Sequence, residues 1–275
     1  MQKKTFNQNE LKQIIQLYTK DKLSLQKIGN KFNVSRGVIT RVLKENNIDI
    51  RSDNHKYVAN YDYFESIDSP EKAYWLGFLA ADGCNYRRSQ NATILINLSR
   101  KDRSHLEKFK QALNSNIPIL DHTQTQGFSN NSLMSKITIN SVKMSFDLED
   151  KGVPPKKSNI LQPPNINSQY FLPYILGYFD GDGTIYKTNQ YNNYGLHFPG
   201  TKAIVEWIKE QLQLDGKIEQ KTLYGVRCGG TNKPYQVMKK LYNSSPIHLD
   251  RKYNIFKDLE LVVFTRNGKE YQVEN

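Results

Sequence analysis

Cysteine is nearly absent from this chain: Cys84 and Cys228 are the only two, far apart and outside any CxxC spacing. That excludes a disulfide framework and makes a cysteine-based zinc site a poor reading. Histidine is sparse as well. His55, His105, His122, His197 and His248 are scattered and read as surface or interface residues rather than metal ligands. No apolar run approaches the roughly 20 residues that a membrane-spanning helix needs. The opening stretch, MQKKTFNQNE, lacks the apolar core of a secretory signal. These absences lead us to expect a reducing, cytoplasmic setting, in a bacterial or phage-infected cell or in an organelle.

Acidic residues are also in deficit. Against 39 Lys and Arg stand 27 Asp and Glu, a formal charge of +12. Hydrophobic residues make up 37% and aromatics 11%, with 17 tyrosines among them, which is enough for a folded core. Basic charge combined with amphipathic aromatics suits a polyanion, although charge of this size also serves solubility alone.

The charge is uneven. Residues 1–58 hold twelve basic side chains against five acidic ones, an asymmetry that points to nucleic acid. Three short helical patterns follow one another there. The first runs from Asn9 to Thr19 with Leu11, Ile14, Ile15 and Tyr18 on one face. The second is capped by Ser24 and presents Leu25, Ile28 and Phe32. The third is capped by Ser35 and presents Val38, Ile39, Val42 and Leu43. The stretch LSLQKIGNKFNVSRGVITRVLK resembles the helix-turn-helix family. That resemblance implies a recognition helix in a major groove, with Ser35, Arg36, Gly37, Thr40 and Arg41 toward DNA. An ordinary three-helix packing unit is the alternative. Residues 46–61 are polar and aperiodic, and read as a linker that tracks phosphates with Arg51 and Lys56, or as a plain tether.

Beyond Asn60 the chain repeats itself. Residues 74–83 read YWLGFLAADG, and residues 174–183 read YILGYFDGDG. Downstream of each copy come a strand-like stretch (from Thr93; from Tyr194), then an amphipathic helix. Its apolar residues are Leu106, Phe109 and Leu113 in one copy and Val205, Ile208 and Leu212 in the other. Further strand candidates are Lys136–Asn140, Lys217–Thr222 and Leu223–Cys228. Each copy closes on a helix and a basic turn, PPKKS at 154–158 and LDRKY at 249–253.

The decapeptide makes sense as one of a pair of helices. Gly77 and Ala81 share a face, as do Gly177 and Gly181, so two backbones can approach closely. Gly83 and Gly183 are expected to stop the helices in a left-handed conformation. Asp82 and Asp182 then fall in the last turns of two adjacent helices. That place costs a carboxylate about 0.3–1 kcal/mol, and two such groups repel each other. A divalent cation with a taste for hard oxygen ligands resolves both problems. Cys84 reads as a small buried residue.

The repeated decapeptide is similar to that of the LAGLIDADG homing endonucleases, in the form with both motifs on one chain. The resemblance spans about residues 60–275 and implies an α+β fold. Two tandem αββαββα halves pack through their motif helices with pseudo-twofold symmetry, and their saddle-shaped antiparallel sheets lie over DNA. The small all-α helix-turn-helix unit is an addition. Expected divisions are 1–58, 59–165 and 166–275. The resemblance also implies a site-specific endonuclease acting on double-stranded DNA, with Asp82 and Asp182 holding Mg²⁺ (or Mn²⁺) at the scissile phosphates. Basic residues near the end of each half match Lys157 and Lys252, with Lys156 and Arg251 as the neighbouring alternatives. The sixth motif position, often acidic in the family, is Ala80 in one copy and Asp180 in the other; it carries no metal role there.

Polar residues of the strands form the expected DNA-contacting set: Arg87, Asn91, Thr93, Asn97, Lys136 and Thr138, then Tyr186, Lys187, His197, Lys221, Tyr224 and Arg227. Two unlike halves on one chain imply a monomer and a long asymmetric target. Two other readings use the same scaffold: a non-cutting DNA-binding regulator and an intron RNA maturase. The helix-turn-helix argues against the second, because the deep, narrow major groove of RNA does not admit it.

Overall fold

The computed structural model describes residues 6–21, 23–48, 57–89, 91–125, 131–187 and 193–266, with side chains to Val263. Arg51 and Lys56 lie outside the described residues. The chain divides into two compact units, Met1–Val58 and Ala59–Asn275.

The first unit is three helices, α1 (Gln8–Thr19), α2 (Leu25–Lys31) and α3 (Arg36–Glu45). Asn7 and Glu10 form a reciprocal capping box at the start of α1. Ser24 caps α2 by accepting from Lys27 N. Ser35 occupies the cap position of α3 with extended backbone but makes no side-chain cap bond. Ile14, Leu17, Tyr18, Ile28, Ile39, Val42 and Leu43 form the core, with Leu11, Leu25, Phe32 and Val34 packed against it. A Cβ on Gly29 would stand 2.6 Å from the Val34 carbonyl oxygen, so the turn between α2 and α3 requires a residue without one.

The second unit is built twice over. The first half runs α4 (Pro70–Ala81), β1 (Gly83–Arg88), β2 (Asn91–Ser99), α5 (Arg103–Ala112), β3 (Leu120–Gln124), β4 (Ser132–Asn140) and α6 (Val142–Asp150). The second runs α7 (Phe171–Asp182), β5 (Thr184–Lys187), β6 (Tyr194–Gly200), α8 (Lys202–Leu212), β7 (Ile218–Gln220), β8 (Tyr224–Gly230) and α9 (Asn232–Tyr242), followed by α10 (Asp250–Arg266). The sheets have matching antiparallel orders, β1-β2-β4-β3 and β5-β6-β8-β7. This is the tandem αββαββα fold.

Period-two alternation fixes the faces of the sheets. In the first, Ile94, Ile96, Ile137 and Ile139 are buried against α5 and α6, while their neighbours stay open. In the second, Leu196, Phe198 and Val226 face α8 and α9. The helices α4 and α7 join the halves and are buried on nearly all sides, which is why their sequences are apolar all round. Ser69 and Pro70 start α4, the serine accepting from Lys72 N.

Three expectations need correction. Gly83 and Gly183 are not left-handed stops: Gly183 is extended (φ −68°, ψ 163°), and Gly83 opens β1. A Cβ would stand 2.6 Å from Leu79 O at Gly83 and 2.7 Å from Phe179 O at Gly183, so glycine is required because each strand leaves its helix without a loop. Cys84 is exposed, because alternation turns it away from α6. His105 is buried, ringed by Tyr74, Trp75 and Phe78.

Candidate active site

The approach of α4 and α7 sets the geometry. A Cβ on Gly77 would stand 2.0 Å from Tyr174 O, and one on Gly177 1.9 Å from Tyr74 O. Nearer the C-termini, a Cβ on Gly181 would stand 2.3 Å from that of Ala81 and 3.2 Å from Asp82 N. Asp82 is the C-cap of α4 and Asp182 the last residue of α7, so the crossing brings both carboxylates to one place. Among the described residues neither carboxylate takes a hydrogen bond from the protein.

Both aspartates keep solvent-accessible surface, yet the protein packed around them removes much of the bulk water. That desolvation is the first cause lifting Asp82 to about 6, and the charge of Asp182 is the second. Asp182 is raised too, by desolvation, against the pull of Lys157 and Lys252.

Lys157 and Lys252 are 9% and 4% exposed, and both turn inward under the helix ends. The Lys157 ammonium donates to Ala81 O at 2.6 Å. That of Lys252 donates to Phe179 O at 2.6 Å, to Asp180 O at 2.9 Å and to Gly183 O. Each cation thus sits where its motif helix is most negative. Desolvation lowers both, Lys252 to about 8, while the nearby aspartates oppose the shift. Lys156, next to Lys157, takes a left-handed backbone (φ 58°) with its side chain exposed, and Arg251 pairs outward with Asp102. The inward residues are therefore Lys157 and Lys252.

The open face of the first sheet carries Asn91, Thr93 and Asn97 from β2, with Asn140, Thr138 and Lys136 beside them on β4. Thr93 donates to the Asn140 side chain at 3.0 Å. The open face of the second carries Tyr186, His197 and Arg227, with Lys221 in the turn beyond Glu219. A Cβ on Gly195 would strike the Tyr186 ring and one on Gly225 the His197 ring, so both rings lie flat across glycines.

Two of the expected set point elsewhere, and Tyr224, at the start of β8, lines one cavity with His197, Lys221 and Arg227. Arg87 faces α6, with its guanidinium over the Phe146 ring and paired with Glu149. Lys187 alternates to the side of Tyr194. Tyr86 and Arg88, outside the expected set, belong to the open face through their pairing with Thr93 and Asn91. Once β1 is known to start at Gly83, alternation assigns them. In the first unit, Ser35, Arg36 and Gly37 are exposed at the start of α3; Thr40 bonds Arg36 O at 3.0 Å, and Arg41 lies 3.7 Å from Glu45.

No protein-family model and no curated protein sequence matches the chain. Solved structures do. The LAGLIDADG homing endonuclease I-GzeII in complex with its DNA target superposes with a TM-score of 0.51 at 14% identity, over 74% of this chain and 93% of that one. The LAGLIDADG meganuclease I-CpaMI, bound to uncleaved DNA, gives 0.51 at 12%, over 73% and 94%. The meganuclease I-SmaMI, bound to uncleaveable DNA, gives 0.50 at 13%, over 70% and 90%. The chain has the fold of the LAGLIDADG homing endonucleases.

Proposed function

We propose that the chain is a metal-dependent, site-specific endonuclease acting on double-stranded DNA as a monomer, with a long asymmetric target. The observation that carries this reading is the meeting of Asp82 and Asp182, two carboxylates without protein donors at adjoining helix ends. Each sits in the unfavourable field of a helix C-terminus, and the two repel each other; a divalent cation offsets both at once. The donor set fits Mg²⁺ or Mn²⁺: few protein ligands, all hard oxygens, leaving positions for water and phosphate. Among the described residues no cluster of three or more His, Cys, Asp or Glu competes for the ion. DNA in the neighbouring structures of this fold supports the choice of substrate.

In this reading Asp82 and Asp182 would hold the cation. When bound, the ion eases deprotonation of water and offsets charge on the leaving oxygen. The lysines work from below. Each neutralises the carbonyl end of its helix, which holds the aspartates ionised and in place. Lys157 makes one hydrogen bond, so its remaining N–H groups are left for solvent or phosphate. The open faces of the two sheets supply base and phosphate contacts, positive at Arg88, Lys136, Lys221 and Arg227. The helix-turn-helix unit adds a second, separate grip, with Arg36 reading a base edge or holding a phosphate.

Selection of cleaved sites from a randomised duplex library in Mg²⁺ tests the reading. A recovered site longer than ten base pairs and not palindromic is the expected result. No enrichment over a chelator control would overturn it.

A further inference from the structure

Among the described residues Asp180 is the one buried carboxylate, and the proposed chemistry does not use it. It is 1% exposed, and its partners come from opposite halves. The Tyr74 hydroxyl on α4 donates to Asp180 Oδ2 at 2.7 Å, and the backbone N–H of Leu249 donates to the same oxygen at 2.7 Å. Tyr74 also lies 3.0 Å from His105 Nε2 on α5, which completes a chain of buried polar groups across the interface.

Leu249 begins the turn that carries Lys252. The amides of Lys252 and Tyr253 both donate to Leu249 O at 3.0 Å. The same turn is gripped from the first half at the surface. Lys108 on α5 donates to His248 O at 3.1 Å and to Asp250 at 2.6 Å, and Arg251 pairs with Asp102 at 3.3 Å. Every residue from His248 to Arg251 is thus held, directly or through Asp180, by the first half. The Lys157 turn is treated differently. Ala80 stands where Asp180 would be expected, and the Tyr174 hydroxyl, counterpart of Tyr74, is buried without a partner. The bond reaching that turn from the second half goes from Thr201 Oγ1 to Leu161 O, four residues past Lys157.

We propose that Asp180 and Tyr74 are positioning residues: they clamp the Lys252 turn to the first half, and so leave the two strands of the substrate unequally served. The local effect does not need the nuclease reading, but the effect on strand cutting rests on it. A polar bond buried across an interface is worth most where water cannot replace it. Loss of the Asp180 carboxylate orphans the Leu249 amide, leaves the Tyr74 hydroxyl with His105 alone, and frees the segment ahead of Lys252. Asp180→Ala copies the residue that the first half already accommodates.

Two measurements test this. In metal-free, DNA-free protein, amide hydrogen exchange at Leu249, Lys252 and Tyr253 rises tenfold or more in Asp180→Ala and Tyr74→Phe, while amides at 157–161 keep their rates. The surface variant Lys108→Ala/Arg251→Ala, which leaves the core untouched, raises the same amides several-fold. Unchanged exchange at 249–253, or an equal rise in both turns, overturns the clamp whatever the protein does to DNA. On supercoiled plasmid bearing the selected site, Asp180→Ala accumulates nicked circle, with the second cut slowed at least tenfold and the first within about threefold of wild type. Lys252→Met gives the same pattern, and the double variant is no slower than Lys252→Met alone. Equal slowing of both cuts, or additive effects in the double variant, contradicts the positioning role. Failure of the wild type to cut removes the nuclease reading and leaves the exchange result to decide the clamp.

Discussion

Gly77 rests directly on the backbone of Tyr174: a Cβ there would stand 2.0 Å from its carbonyl oxygen. The same is true of Gly177 over Tyr74, at 1.9 Å. Nothing in that contact can yield except the helices themselves. Gly77→Ala and Gly177→Ala must therefore push α4 and α7 apart, at a cost of about 3 kcal/mol, the upper end of ordinary overpacking. Urea unfolding reads this directly. Metal-dependent activity should fall along with stability, because the separation of the two carboxylates depends on the same crossing.

Two acids lifted by desolvation, exposed Asp82 and buried Asp180, contribute to the pH dependence of the metal-free protein. Asp82 and Asp180 both titrate near 6 when folded, against 3.8 as the ordinary value. Unfolding thus lets these groups ionise at lower pH, so they destabilise the fold progressively as pH rises from about 4 to 6. Lys252, lowered to about 8, acts in the opposite sense: stability recovers as pH rises from about 8 toward 10.5. In the wild-type curve His105, pushed down to about 3 by burial, acts in the opposite sense to the acids over the acid range, so the contribution of Asp180 is read as a difference in melting temperature: the stability of Asp180→Asn relative to wild type should grow as pH rises from about 4 to 6 and then level off. A difference between Asp180→Asn and wild type that does not change between about pH 4 and 6 would contradict the assignment.

Protons also compete with the cation for Asp82. The Mg²⁺ concentration needed for half-maximal cleavage should rise as pH falls through 6, with the rate at saturating Mg²⁺ much less affected. Activity that survives excess chelator would remove the metal from the account.

The motif helices were legible in the sequence because their constraint is local: small residues four apart, then an aspartate, twice. The strands β1, β3 and β5 were not. GCNYRR and LDHTQ have neither β-branched runs nor clean alternation, and their extended state is imposed by pairing with β2 and β4. Without β1 and β5 the face of each side chain could not be counted, which is why Arg87 and Lys187 were expected on the open side. Lys156 and Lys157 are indistinguishable by composition; the burial of Lys157 and its bond to Ala81 O show which one turns inward. The role of Asp180 was hidden for a different reason. Its partners Tyr74 and Leu249 lie 106 and 69 residues away, beyond the reach of any local pattern.

Deletion of residues 1–58 tests the basic three-helix unit. As a separate module its contribution is one of effective concentration. The shortened chain should bind DNA more weakly, with a shorter footprint and a shallower salt dependence, because fewer phosphates are contacted. Metal-dependent cleavage at high substrate concentration should persist. An unchanged footprint would mean that the unit grips something other than the target duplex.

The most direct test replaces one aspartate at a time. Asp82→Asn and Asp182→Asn keep the shape of the side chain and remove its charge, which relieves the repulsion and the unfavourable helix-end interaction. Gel-shift affinity in Ca²⁺ should hold or rise, and metal-free stability should hold or increase slightly. Cleavage of supercoiled plasmid in Mg²⁺ should fall at least 10²-fold, about 2.7 kcal/mol of lost transition-state stabilisation. Near-normal linearisation by both variants would contradict the catalytic assignment, and an unfolded, non-binding Asn variant would place the aspartates in the structure rather than in the chemistry.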